Sequence, residues 1–248
     1  GGPRAVKYGV TRDYVLGLRA VLPSGQIIET GVKTAKGVAG YDLTRLLVGS
    51  EGTLAVVTRI RLKLLPKPEA IKTMAVFFDE MKLAAMAVSG IMKETVIPRC
   101  VEYLDSACLD LVKNDLDFTL PEGSNAMLII ELDGKSEIIE KDASNIAELC
   151  RQFKALEVVV AADKSETQRL WKARKALSPI LFKIANNKIN EDIVVPIDRI
   201  PDMVEVTQQI KQKYNLAMVS FGHAGDGNIH CNIMYDKSDP DQSERAHK

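Results

Sequence analysis

The 248-residue sequence predicts an α+β fold, with a small strand-rich unit followed by a larger unit in which helices cover an antiparallel sheet. Three observations carry this. Gly and β-branched residues dominate up to Pro66-Lys67-Pro68, and strand and helix patterns alternate after it. Proline cannot continue a ladder, so those residues read as a linker between units 1–67 and 68–248. Beyond the linker the order strand–helix–strand occurs twice, which suggests two ferredoxin-like halves with helices on one face of the sheet.

The elements follow in order. Val15 to Val21 and Gln26 to Thr30 flank Leu22-Pro23-Ser24-Gly25, a turn signal, and form a hairpin. Leu54 to Leu64 is a further strand region. Lys72 to Phe78 reads as a strand, Glu80 to Lys93 as a helix, and Arg99 to Leu104 as a strand. A short helical piece, Asp105 to Lys113, separates the halves. Ala126 to Leu132, Glu137 to Phe153 and Val158 to Ala161 repeat strand, helix and strand. Ser165-Glu166-Thr167-Gln168 has the form of a capping box opening a helix to about Ala185. Ile193 to Val195 is a short strand and Arg199 to Lys213 a helix. Ala217 to Gly222 and Asn228 to Met234 are strands joined by a Gly-rich turn.

Acidic and basic side chains balance at 33 each, and no basic stripe is present, which argues against nucleic acid. No apolar run approaches the ~20 residues needed to span a bilayer. The first residues lack the charged-then-apolar order of a secretion signal. Cys100, Cys108, Cys150 and Cys231 show no paired spacing and read as reduced thiols of a cytoplasmic protein. The chain starts Gly1-Gly2-Pro3, and Asp239-Pro240-Asp241 opens a helix with few residues left to run. A piece of a longer chain is therefore expected.

Three segments carry chemistry. Gly49-Ser50-Glu51-Gly52-Thr53-Leu54 is either a strand-entry turn or a loop letting backbone approach a flat or phosphorylated ligand. Phe221 to Asn232 holds two of the three histidines of the chain. In a strand from Asn228, His230 and Asn232 share one face, and the Gly-rich turn lets His223 double back toward them. Two imidazoles can then meet at one cation, although either can equally be a satisfied structural residue. Asp226 fits the turn itself. On the helix after Ser165, the residues Trp171, Arg174 and Ser178 fall on one face. Arg174 there is either a solvated helix charge or a clamp for a carboxylate. Lys188 is either a loop lysine or a second substrate cation. The cysteines read as packing thiols.

Together, Gly1-Gly2-Pro3-Arg4-Ala5-Val6-Lys7-Tyr8-Gly9, Gly40-Tyr41-Asp42-Leu43 with Gly49 to Leu54, and Gly222-His223-Ala224-Gly225-Asp226-Gly227-Asn228-Ile229-His230 resemble the FAD-linked 2-hydroxyacid dehydrogenases and oxidases. These include the glycolate oxidase catalytic subunit and the D-lactate and D-2-hydroxyglutarate dehydrogenases, flavoproteins of the vanillyl-alcohol-oxidase type. The resemblance implies that residues 1–67 are the end of an FAD-binding domain. It implies that 68–248 are the cap domain that holds substrate, cut short at its C-terminal end. Gly1, Gly2, Gly49, Ser50, Glu51, Gly52, Thr53 and Leu54 would touch FAD, with Val56 and Val57 near the isoalloxazine. His223 and His230 would bind a divalent metal (zinc, manganese or iron), and His230 and Asn232 would act at the reacting centre. Arg174, Ser178 and Asn232 would contact substrate; the family's lysine aligns nearer Asn190 than Lys188.

The implied activity is oxidation of a D-2-hydroxyacid to the 2-oxoacid with hydride transfer to flavin. The family's pyrophosphate loop would precede Gly1, and its third metal ligand and base would follow Lys248, so this stretch alone is expected to be inactive. Expected partners are a small 2-hydroxyacid and an iron–sulfur electron-transfer subunit, with room for a homodimer and a peripheral place at the inner membrane through such subunits. Two rival readings remain, a metal-dependent hydrolase without flavin and a non-catalytic subunit of a flavoprotein complex.

Overall fold

The structure is a computed structural model that describes residues 2–34, 36–113 and 119–248. Gly1, expected at the flavin, lies outside the described residues. The chain divides into two compact units, one of residues 9–67 and one of residues 2–8 together with 68–248. Residues 2–8 thus cluster with the larger unit, although the sequence reading placed them in the smaller. They include the one-turn helix α1 (Ala5–Tyr8).

The small unit is a three-stranded antiparallel sheet. The hairpin of β1 (Val15–Val21) and β2 (Ile27–Gly31) pairs Leu18 with Thr30 and Ala20 with Ile28. Its turn closes through Gly25 N–H donating to Leu22 O at 2.8 Å, with Gly25 at φ +82°. A short helix, α2 (Leu43–Leu47), starts where the Asp42 carboxylate accepts from Arg45 N at 2.9 Å. The third strand, β3 (Val56–Leu62), lies on the other side of β1. Leu18, Ala20, Leu47 and Ala55 form a small core.

The larger unit continues with β4 (Ala70–Phe78), α3 (Met81–Ile91), β5 (Cys100–Asp105), α4 (Ser106–Val112) and β6 (Ala126–Gly134). Then follow α5 (Ser136–Gln152), β7 (Glu157–Val160), α6 (Lys164–Ile180), β8 (Asn187–Val194) and α7 (Ile200–Tyr214). It ends with β9 (Ala217–His223), β10 (Asn228–Tyr235) and α8 (Pro240–Ala246). One seven-stranded sheet runs in the order β7-β4-β6-β5-β9-β10-β8 with every neighbour antiparallel. The fold is α+β, as the sequence predicts.

Helices cover both faces of this sheet, which corrects the expectation of one. Met74, Val76, Tyr103, Leu128 and Ile130 pack with α3, α5 and α7. Their alternate neighbours Ala75, Phe77, Leu104, Met127 and Ile129 pack with α4 and α6. Side chains alternate across a strand, so a strand buried on both faces must be apolar at nearly every position. Met74 to Phe78 and Ala126 to Ile130 have that character. Each fully buried large apolar side chain contributes about 1.5–3 kcal/mol, which makes β4, β5 and β6 the anchor of the unit.

Two local readings also change. The cap of α6 is Asp163, two residues before Ser165: its carboxylate accepts from Glu166 N at 2.9 Å. Glu166 closes the reciprocal bond by accepting from Ala162 N at 2.7 Å. A carboxylate outcompetes a hydroxyl at the positive end of a helix. Strand β8 begins at Asn187 rather than Ile193, so Lys188 and Asn190 lie in an edge strand and not in a loop. Its polar residues disguise it, because an edge strand pairs on one side only.

Candidate active site

Turn geometry between β9 and β10 sets the first feature. After His223 the chain makes one 3₁₀ turn, Ala224–Asp226, and reverses at Gly227, where φ is +80°. A Cβ at Gly227 would fall 2.0 Å from Val195 O, so no other residue fits. Asp226 accepts from Asn228 N at 3.3 Å, and burial holds its carboxyl above the usual range. The reversal puts His223 opposite Asn228, and Phe221 opposite His230. His223 and His230 are then diagonal neighbours on one face, their ring centroids 5.5 Å apart and nearly perpendicular at 82°.

Each imidazole has a carboxylate oxygen beside Nδ1. His223 Nδ1 is 2.5 Å from Glu102 Oε1, the residue directly across the β5–β9 ladder. His230 Nδ1 is 2.9 Å from Asp192 Oδ1, directly across the β10–β8 ladder. At His223, Nδ1–H donating to Glu102 leaves Nε2 as the ring nitrogen with a lone pair to offer. Burial holds His230 below the ordinary imidazole value, with Asp192 offsetting part of this. Two imidazoles side by side on one face fit two of the ligand positions of a divalent cation. Among the described residues no group of three His, Cys, Asp or Glu side chains is arranged to hold a metal.

Glu102 is the residue that the sequence reading missed. It is 1 % exposed, and its second oxygen accepts from Arg174 Nε at 2.7 Å. The Arg174 guanidinium also lies over the Phe221 ring, with Cζ 4.6 Å from the centroid. Among the described residues no protein group accepts from its two terminal nitrogens, so they remain for an external anion. The available signal was an acidic side chain inside the otherwise apolar stretch Cys100-Val101-Glu102-Tyr103-Leu104. One turn before Arg174, Trp171 Nε1 donates to Glu131 on β6 at 2.6 Å. Leu170, Ala173 and Leu177 bury the same side of α6. The helix is thus fixed to the sheet by two polar bonds and an apolar stripe.

Asn232 faces the same way as His230. It is 1 % exposed and donates to Val219 O at 3.1 Å and His230 O at 3.3 Å, while its Oδ1 is buried without a partner among the described residues. Asn190 stands opposite it on β8. Lys188 stands two positions further, opposite Met234, with Nζ 5.8 Å from the Phe182 ring centroid. Ser178 is exposed on α6. Neither Ser178 nor Lys188 shares a hydrogen bond with the cluster among the described residues.

In the small unit, the loop 49–54 has consecutive left-handed residues at its centre: Glu51 at φ +52° and Gly52 at φ +78°, after Gly49 at φ +89°. Thr53 N and Oγ1 both donate to Ser50 O, at 2.9 and 2.6 Å. A Cβ at Gly52 would meet no atom of the described residues within 4 Å, leaving open space against the backbone. Leu54, Val56 and Val57 are exposed, and Val56 is 65 % exposed. Open backbone beside exposed apolar side chains fits a flat ring system. Gly2 is described with the larger unit, at φ +102°.

Among the described residues, no helix is long and apolar enough to cross a membrane. The chain is 43 % identical over 246 residues to glycolate oxidase subunit GlcD of Bacillus subtilis, covering 99 % of this chain and 52 % of that protein. It is 32 % identical to a probable mitochondrial D-lactate dehydrogenase of Danio rerio, over 99 % of this chain and 50 % of that one. It spans about half the length of the curated relatives it matches. Among solved structures, p-cresol methylhydroxylase matches with a TM-score of 0.74 at 16 % identity, over 100 % of this chain and 56 % of that chain. An alkyldihydroxyacetonephosphate synthase matches with a TM-score of 0.71 at 18 % identity, over 100 % of this chain and 49 % of the other, and both likenesses show the shared fold. The description "FAD linked oxidases, C-terminal domain" matches residues 67–248, the stretch that carries Glu102, Arg174 and both histidines, and the chain belongs to that family.

Proposed function

We propose that the protein is an FAD-dependent dehydrogenase that oxidises a small D-2-hydroxyacid, of the glycolate or D-lactate type, to the 2-oxoacid. The observation that carries this reading is that one face of the large sheet and the helix α6 together present three complementary groups. Arg174 offers two guanidinium nitrogens that no described protein group accepts from, a planar fork that matches a carboxylate. Among the described residues Asn232 Oδ1 is a buried acceptor without a donor, a role a substrate hydroxyl would fill. His223, with its Nε2 lone pair, and the neighbouring His230 offer two imidazoles to a divalent cation. A carboxylate next to a hydroxyl on the adjacent carbon is the substrate pattern that such a face selects.

The residues then divide the work. Arg174 anchors the carboxylate and fixes the rotation of the substrate about it. Asn232 orients the hydroxyl. His223 and His230 hold the cation, with further ligands required beyond these two. The cation, when bound, supplies Lewis acidity that lowers the hydroxyl pKa, and the flavin, when bound, supplies the hydride acceptor. Loop 49–54, with Val56 and Val57, forms one contact surface for the flavin. The subunit designation of the Bacillus relative supports assembly with other chains, and an iron–sulfur subunit is the class that would take electrons onward.

A substrate screen of the full-length protein with an artificial acceptor dye, with and without chelator, tests the proposal. Dye reduction by glycolate or D-lactate, suppressed by chelator, is expected, and so is yellow flavin absorbance. A colourless protein that hydrolyses esters or amides overturns it in favour of a hydrolase. His230→Ala with unchanged metal content and unchanged kcat overturns the cation step.

A further inference from the structure

We infer that Glu102 is a positioning residue that sets the substrate clamp and the cation ligand with one carboxylate. The inference rests on the functional reading above and goes beyond it by naming the group that couples its two halves. Glu102 is buried on β5, and its two oxygens go to different partners, Oε1 to His223 Nδ1 at 2.5 Å and Oε2 to Arg174 Nε at 2.7 Å. The first bond fixes the tautomer of His223: with Nδ1–H donating, Nε2 carries the lone pair. The second bond uses only Nε of Arg174, an edge that a bidentate carboxylate on the two terminal nitrogens does not need.

The arrangement also answers an energetic question. A carboxylate at 1 % exposure is costly unless its charge is matched and its lone pairs are filled. Here Arg174 supplies the charge, with Arg174 itself backed by the Phe221 ring and His223 by the β9 ladder. Removing Glu102 would leave Arg174 beside two imidazoles with no counter-charge, so an anion or water would compete for the same guanidinium. Gln keeps the volume and one acceptor but cannot serve both partners as acceptor.

The experiment uses the full-length protein labelled with ¹⁵N-histidine, as wild type and as Glu102→Gln. In wild type, the ring nitrogen shifts of His223 in metal-free protein are expected to report the Nδ1–H tautomer. In Glu102→Gln the tautomer is expected to become mixed. The dissociation constant for Mn²⁺ or Zn²⁺ and the KM for the 2-hydroxyacid are each expected to rise on the order of 10–100-fold. Glu102→Asp, which keeps the charge on a shorter stem, is expected to restore part of both. A wild-type His223 in the Nε2–H tautomer overturns the inference without any variant, and so serves if Glu102→Gln fails to fold. Unchanged tautomer and unchanged cation affinity in a folded Glu102→Gln overturn it as well. Wild-type protein that binds no divalent cation sinks the cation reading of the proposed function instead, and the tautomer measurement still decides the role of Glu102.

Discussion

The Lys7 ammonium lies 2.5 Å from the carboxylate of Asp133, a partner 126 positions along the chain. The same carboxylate accepts from Tyr8 Oη at 2.5 Å, and Asp133 O accepts a further Lys7 bond at 2.7 Å. Arg99 adds a third cationic or donor neighbour at 3.7 Å. One β6 side chain therefore holds segment 2–8 against the larger unit. Asp133→Ala removes the shared acceptor and is expected to cost about 3–5 kcal/mol, as for breaking one partner of a buried pair. Urea unfolding measures the loss, and amide exchange in residues 2–8 should accelerate; unchanged exchange would count against the anchor.

The β9–β10 reversal admits one residue type at its tip. Gly227→Ala must hold an L side chain at φ +80° and move backbone at Val195. The left-handed strain alone costs roughly 1–2 kcal/mol, and the backbone clash adds to it. Thermal unfolding should show a clear drop. An alanine variant as stable as wild type would contradict the turn geometry.

Asp105 caps α4 by accepting from Cys108 N at 2.9 Å and also ties β9 by accepting from Ser220 N at 2.6 Å. Asp105→Ala leaves two buried amides without acceptors and is expected to cost about 2–4 kcal/mol. Burial raises its folded-state pKa above the ordinary 3.8, backbone donors offsetting part of that. The folded state therefore binds the proton more tightly than the unfolded state. Asp105 contributes most at low pH, and its contribution falls as pH rises from about 3.8 through the folded value. Comparing urea stability of wild type and Asp105→Asn across that window isolates the slope. Equal slopes would refute it.

All four cysteines are free and buried. Burial pushes the Cys150 thiol up to about 12, and raises Cys100, Cys108 and Cys231 as well. Thiolate is the reactive form, so a disulfide reagent at pH 8 should label none of them in native protein and all four in denaturant. Rapid labelling of any one without denaturant would place it outside the core.

Much of the site was legible because its parts are local. The spacing His223, Gly227, His230 and Asn232 encodes two strands and a turn within ten residues, and alternation alone puts His230 and Asn232 on one face. The face of α6 was legible too, from the three- and four-residue steps between Trp171, Arg174 and Ser178. What that face meets was not legible. Trp171 and Arg174 reach Glu131 and Glu102, on strands 40 and 72 positions away, whereas Ser178 stays exposed.

By itself the sequence determined the strand and helix succession after the linker, the β9–β10 reversal and the types of group on offer. These follow from backbone sterics and side-chain periodicity, which act over a few residues. Only the tertiary structure decided that helices close both faces of the sheet, that β5 lies beside β9, and that Glu102 meets His223 and Arg174. Strand order depends on which apolar faces bury one another across long loops, and no local preference records that choice.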